Sequence, residues 1–258
     1  MGVLYIMKII VITKNTFKET IRDRILYAIV GFALLFIVST ILFGSISLGE
    51  DIKVIRDFGL AGIYIFGMII TIFLGTSLIY KEIEKRTLYT VLSKPVSTLE
   101  FILGKFFGLL LSVGLTLVLM AGVYLIVVAV KHGGFDSLGL LAILFQLFET
   151  MIFISLAIMF SSFARPFAAM IYSVLILYIG HSLAIIVKYA QKNGGFGKYL
   201  AVTLYYILPN LEKFNLRNLV VHNQGASLSQ IALALGYAVL YSTILLILAN
   251  SALKRQEL

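Results

Sequence analysis

Six apolar runs, each near the roughly 20 residues that an α-helix needs to cross about 30 Å of hydrocarbon, constrain this chain more than any other feature. A segment that enters lipid must satisfy every backbone N–H and C=O within itself, so runs of this length become helices. They are placed at Ile25 to Ser47, Gly59 to Tyr80, Phe101 to Val130, Leu138 to Phe160, Phe167 to Lys188 and Leu228 to Leu248. Pro166 stands where a first-position proline opens the fifth helix, and Ser227 with Gln230 has capping-box spacing at the sixth. Composition agrees, because 60% hydrophobic and 13% charged residues with a mean hydropathy of +1.03 exclude an ordinary soluble globule, in which about 25% of residues are charged. The expected fold is an all-α integral membrane protein, a single six-span domain over residues 1–258.

Two flanking segments complete it. Residues 5–24 place Ile6, Ile10, Thr13, Phe17 and Ile21 along one helix face and Lys8, Asn15, Glu19 and Arg22 along the other, which reads as an amphipathic helix lying in the interface. Its polar handles are Lys14, Lys18, Glu19 and Arg22. Residues 189–226 are too long for a tight turn and too apolar for a free loop. Their two runs, Tyr199 to Leu208 and Leu211 to Val221, are parted by Pro209-Asn210, and each is too short to cross. They read as re-entrant or interfacial helices, with a small folded cap outside the membrane as the other reading.

Charge sets the orientation. With the amino terminus inside, 13 of the 21 Lys and Arg residues fall on the cytosolic side, so both termini are expected there. The same distribution explains the net charge of +9 without nucleic acid, since the basic residues flank apolar runs. The charged start followed by no small-residue cleavage site points to a retained first span in the cytoplasmic membrane. There is no cysteine, hence no disulfide or thiolate metal site.

Between the second and third runs lies a dense polar island, Lys81 to Lys105. Its first half can wind as a short helix, with Ile83, Leu88, Val91 and Leu92 mostly along one side and Glu82 and Arg86 four apart in the favourable acid-first order. Pro95 stops that helix, and Ser97-Thr98-Leu99-Glu100 restarts the chain as a capping box. The pattern Glu84, Arg86-Thr87-Leu88, Val91-Leu92-Ser93-Lys94-Pro95-Val96-Ser97 and Glu100-Phe101-Ile102-Leu103-Gly104-Lys105 resembles the first cytoplasmic loop of type-2 ABC exporter permeases. It is most similar to the subgroup for multicopper-enzyme maturation, including the permease of nitrous oxide reductase assembly. Thr16 to Arg24 resembles the same family's stretch before its first membrane helix.

The resemblance implies a transmembrane permease subunit that moves a substrate by alternating access. It also implies a re-entrant pair before the last span, a second permease copy as homodimer or heterodimer, a separate ATP-binding-cassette ATPase and a possible periplasmic partner. Residues 81–97 would then form the coupling loop that the ATPase pushes, with Glu82, Lys85, Arg86, Thr87, Ser93, Lys94 and Pro95 as its contacts. A non-transporting anchor that couples an ATPase to an external partner is the alternative reading. The cargo is open: lipid, peptide, drug, sulfur species or a mechanical signal all fit.

The chain carries no engine of its own. A phosphate-cradling loop ends in Gly-Lys-Ser/Thr, whereas Gly104-Lys105 is followed by Phe106 and Gly197-Lys198 by Tyr199. ATP and Mg²⁺ therefore belong to a partner, and no cofactor is expected here. His132, His181 and His222 lack metal-ligand spacing, and the span methionines read as apolar filler, so no metal site is expected and any copper link would come through a partner. An intramembrane protease would need clustered catalytic groups, which are missing.

Glu149 is the one acidic residue near the middle of a span, where a charge costs at least about 2.5–3.5 kcal/mol. Gln146 one turn before it and His181 at comparable depth are its candidate partners. Either Glu149 faces the bundle interior as part of a gate or a substrate contact, or it is a protonated acid hydrogen-bonded between helices, the simpler account. Gly104, Gly108, Ser112 and Thr116 recur every fourth residue and read as a packing seam.

Overall fold

A computed structural model describes residues 2–47, 49–84, 96–132, 134–193 and 196–255. Among these the chain is helical with no strand, and six helices are long and apolar enough to cross a membrane. In order they are α1 (Gly2–Ile21), α2 (Arg24–Ile46), α3 (Asp51–Glu84), α4 (Thr98–His132), α5 (Ser137–Ser161) and α6 (Pro166–Asn193). Next come α7 (Phe196–Ile207), a 3-10 turn (Leu211–Phe214), α8 (Arg217–Val221) and α9 (Leu228–Lys254). The spanning helices are α2 to α6 and α9. They alternate in direction, so α1 and the last turn of α9 share one end of the bundle, called proximal below.

Local chemistry sets the helix starts. Asp23 caps α2 by accepting from the backbone N–H of Ile25 at 2.9 Å. Both halves of the capping box open α4, the N–H of Ser97 donating to Glu100 Oε2 at 2.6 Å and that of Glu100 to Ser97 Oγ at 3.2 Å. The Ser227 and Gln230 box opens α9 in the same way. Pro166 occupies the first position of α6, where its missing N–H is no loss.

Several helices outrun the apolar runs. α3 begins at Asp51, not near Gly59, and adds polar turns carrying Lys53, Arg56 and Asp57 at the distal end. With 34 and 35 residues, α3 and α4 are each about 50 Å long at 1.5 Å per residue, well beyond the hydrocarbon thickness. The run from Leu211 to Val221 is not one helix, because Asn215 leaves helical geometry at φ −80°, ψ 84° and parts the 3-10 turn from α8.

α5 is the hub. Of its most apolar window 72% is buried, against 17% for α6, and it packs on α3, α4, α6 and α9. α3 and α5 approach closely because Gly67 leaves room for the Gln146 amide, whose Nε2 lies 2.5 Å from where a Cβ would stand. The distal segment of α7, 3-10 turn and α8, here called the cap, turns back toward mid-bundle. Pro209 and Leu211 rest on Gly180, near the middle of α6, where a Cβ would come within 2.6 Å of Leu211 Cδ1.

α1 runs alongside the first turns of α4 in matched four-residue register, Lys8 beside Glu100, Ile12 against Gly104 and Thr16 against Gly108. Thr16 and Thr20 are buried there, while Tyr5, Ile6, Met7, Ile10 and Val11 are exposed. The face that meets α4 carries Thr16 and Thr20, and Ile6 and Ile10 of the apolar face point away from it. The Gly104 and Gly108 seam receives this helix: Thr13 Oγ1 donates to the Gly104 carbonyl at 3.3 Å, and a Cβ on Gly108 would stand 2.9 Å from the Thr13 carbonyl oxygen. Gly108→Ala is therefore expected to cost about 1–3 kcal/mol through overpacking. Thermal unfolding in detergent should show a lower midpoint for it than for Gly122→Ala, which meets nothing within 4 Å.

Candidate functional site

Successive turns of α5 carry Gln146 and Glu149 on one face, toward α3. There Gln146 Nε2 donates to the backbone carbonyl of Ile63 at 3.0 Å. One residue on, the Tyr64 hydroxyl donates to Glu149 Oε1 at 3.0 Å and lies 3.0 Å from His181 Nε2, contributed by α6. His181 Nε2 is itself 3.6 Å from Glu149 Oε1, and the Tyr64 and His181 rings are 5.8 Å apart. Three helices thus converge on one carboxyl group that is 1% exposed. The hydrogen bond to Tyr64 supplies the polar partner that a buried carboxyl group requires.

Beside it lies a cavity of about 150 Å³. Tyr64, Gln146, Glu149 and His181 form one wall, and Phe214, Asn215 and Arg217 of the cap form the other. That is room for several waters or a small polar molecule. The structure so brings Gln146, Glu149 and His181 together, as neighbours in one site. Tyr64, which links Glu149 to His181, was missed in the sequence, where a single tyrosine in an apolar run carries no signal distinguishing it from an interfacial or core residue.

A second polar cluster at the distal end also escaped the sequence reading. Arg56 Nε is 3.1 Å from Asp136 Oδ2, and Arg56 Nη1 donates to Asn223 Oδ1 at 2.8 Å. Asp136 further accepts from the Tyr124 hydroxyl at 2.6 Å and from the N–H of Gly139 at 3.1 Å, where it caps α5. Asn223 adopts a left-handed conformation at φ 57°, which asparagine tolerates better than most residues. In return the cap reaches α3 through Arg217 Nε and Asp57 Oδ1, 3.2 Å apart. These contacts hold the cap over the cavity. Arg56 and Asp136, as opposite charges at the same ends of two runs, were the available signal.

Of the coupling-loop residues, Glu82 falls in the last turn of α3, while Lys85, Arg86, Thr87, Ser93, Lys94 and Pro95 lie outside the described residues. Just past them the start of α4 is held to α1 from two sides: Lys8 Nζ is 3.8 Å from Glu100 Oε1, and Lys105 Nζ is 3.8 Å from Glu19 Oε2. Lys14, Lys18 and Arg22 are exposed. Among the described residues, no group of three or more His, Cys, Asp or Glu side chains is arranged to hold a metal ion.

Six helices of this length and apolarity, with their buried polar cluster, define a multi-pass membrane protein. The chain belongs to the ABC-2 family of transporter proteins, whose model it matches over residues 10–258. It is accordingly the membrane component of an ABC transporter, a permease that is not itself the catalytic enzyme, and the family implies an ABC ATPase as its partner. No curated protein matches it.

The distal cluster makes a prediction about stability. Arg56→Ala strands the Asp136 carboxylate, 1% exposed, and is expected to cost about 3–5 kcal/mol. Asp57→Ala removes only the exposed pair with Arg217 and should cost less than about 1 kcal/mol. Unfolding midpoints of the two variants in the same detergent measure the difference.

Proposed function

We propose that this permease sits in the cytoplasmic membrane with both termini in the cytosol and moves a substrate by alternating access. The observation that carries the reading is the family match, which spans all six membrane helices and both ends of the loop between α3 and α4. The excess of Lys and Arg at the proximal end supports the orientation. On this reading residues 81–97 meet the ATPase, and force enters the bundle at the starts of α3's partner helix α4 and of α1, which is pinned beside it by Lys8–Glu100 and Glu19–Lys105. The exposed Tyr5, Ile6, Met7, Ile10 and Val11 then lie at the lipid headgroups as an interfacial anchor.

On the same family reading, cargo passes between two six-span permease units. The second unit is a copy of this chain or a different permease, and a periplasmic protein is a further partner of the same assembly. The likeness to the multicopper-maturation subgroup rests on the loop motif, and a role in metal handling would act through such a partner.

The experiment is purification with and without the ATPase. Alone, the chain is expected to hydrolyse no ATP; tagged and extracted gently, it should bring down a polypeptide with a phosphate-binding loop. Arg86→Ala, with the chain still present in the membrane at normal level, should leave that ATPase active while losing its response to the permease. Disappearance of the variant from the membrane would instead make the loop a structural element, and ATP hydrolysis by the lone chain would overturn the reading.

A further inference from the structure

The Tyr64 hydroxyl has a base on each side: Glu149 Oε1 at 3.0 Å and His181 Nε2 at 3.0 Å. A hydroxyl owns one hydrogen and two lone pairs, so it can donate to one base while accepting from the other. Here the order is imidazole, phenol, carboxyl, drawn from α6, α3 and α5. Plain adhesion between helices does not call for that order, since a Gln at position 149 would hydrogen-bond Tyr64 without bringing an ionisable group into hydrocarbon, at a cost of about 2.5–3.5 kcal/mol or more.

Access runs the same way. The carboxyl end of the series is 1% exposed and the imidazole end 25%, and all three groups border the cavity beneath the cap. We propose that Glu149 is a proton-binding site, loaded and unloaded through His181 and Tyr64 by water entering that cavity. In the loading step cavity water or a buffer acid gives a proton to Nε2 of the imidazole, the ring nitrogen on the side of Tyr64 and the cavity lining, since Nδ1 is buried, and is left as hydroxide or the conjugate base. The imidazolium passes its Nε2 proton to the phenol oxygen as the phenol's own hydrogen moves to Oε1. Neutral imidazole and intact phenol remain, and the carboxylate has become a carboxylic acid. Unloading is the reverse, and no other reactant is consumed.

The surrounding charges come from every element packed on α5. α3 contributes Tyr64 and α6 His181. The cap brings Glu212, Lys213 and Arg217, of which Lys213 Nζ lies 4.6 Å over the Tyr237 ring of α9 and Arg217 is paired with Asp57. α4 carries its acidic and basic side chains toward its two ends, Glu100 and Lys105 at one and Lys131 at the other, and its Tyr124 hydroxyl is committed to Asp136. Among the described residues, the short contacts to the Glu149 carboxyl group from titratable side chains are thus those of Tyr64 and His181.

The proposal concerns the chain alone and stands or falls without the ATPase. Infrared difference spectra of the purified full-length protein, taken across about pH 5 to 9, should contain a carboxylic-acid carbonyl band that titrates, shifts in D₂O and is missing from Glu149→Gln. Rapid mixing into D₂O then tests the route: Tyr64→Phe keeps the shape of the ring, retains the band and is expected to slow its deuterium shift about a hundredfold. His181→Gln should slow it as well. A Glu149 band that does not titrate, or a Tyr64→Phe variant that exchanges as fast as the parent, would overturn the proposal. Should Glu149→Gln fail to fold, the exchange rates of the parent and Tyr64→Phe still decide it.

Discussion

Hydrocarbon offers no hydrogen bonds, so a polar atom that this chain carries into it is stabilised only where another part of the chain meets it. The backbone meets the demand by staying helical. The hydroxyls of Thr40, Thr71, Ser112, Thr116, Ser155 and Ser173 meet it by turning back to carbonyls three or four residues earlier in their own helices. Gln146 and Glu149 cannot do so, and their partners come from α3 and α6. That requirement draws three helices together at mid-depth and leaves a polar cavity between them.

The hub position of α5 follows. Its polar residues need neighbours on more than one side, so it is surrounded, whereas α2, α6 and α9 bury only 22%, 17% and 28% of their most apolar stretches within the chain. Apolar side chains lose nothing when they face lipid, so exposed Phe32, Leu35, Val118, Ile185 and Leu240 are compatible with a membrane surface.

α4 links the two ends of the molecule. At its start it is clamped to α1 by ion pairs and a close glycine contact, and about 40 Å further along, at 1.5 Å per residue, Tyr124 joins the Arg56 and Asp136 cluster that holds the cap. A continuous helix is stiff over such a distance. α4 is thus a stiff connection between the clamp at its start and the cluster that holds the cap, with no break among its described residues.

The six spans, their caps at Ser97, Pro166 and Ser227, and the packing role of Gly104 and Gly108 were legible in the chain because each depends on residues close in sequence or on the single variable of hydrophobicity. Glu149, Gln146 and His181 stood out for the same reason, as polar residues where lipid makes them costly. What faces what was not legible. The seating of α1 on α4, the pairing of Arg56 with Asp136 and the placing of Tyr64 between an acid and a base join residues about 80 to 117 positions apart, and no local pattern encodes such a meeting. Sequence determines which atoms need partners, since that is a property of each residue against its solvent; only the packed helices decide which partners they obtain, since that depends on depth and rotation fixed by all the contacts at once.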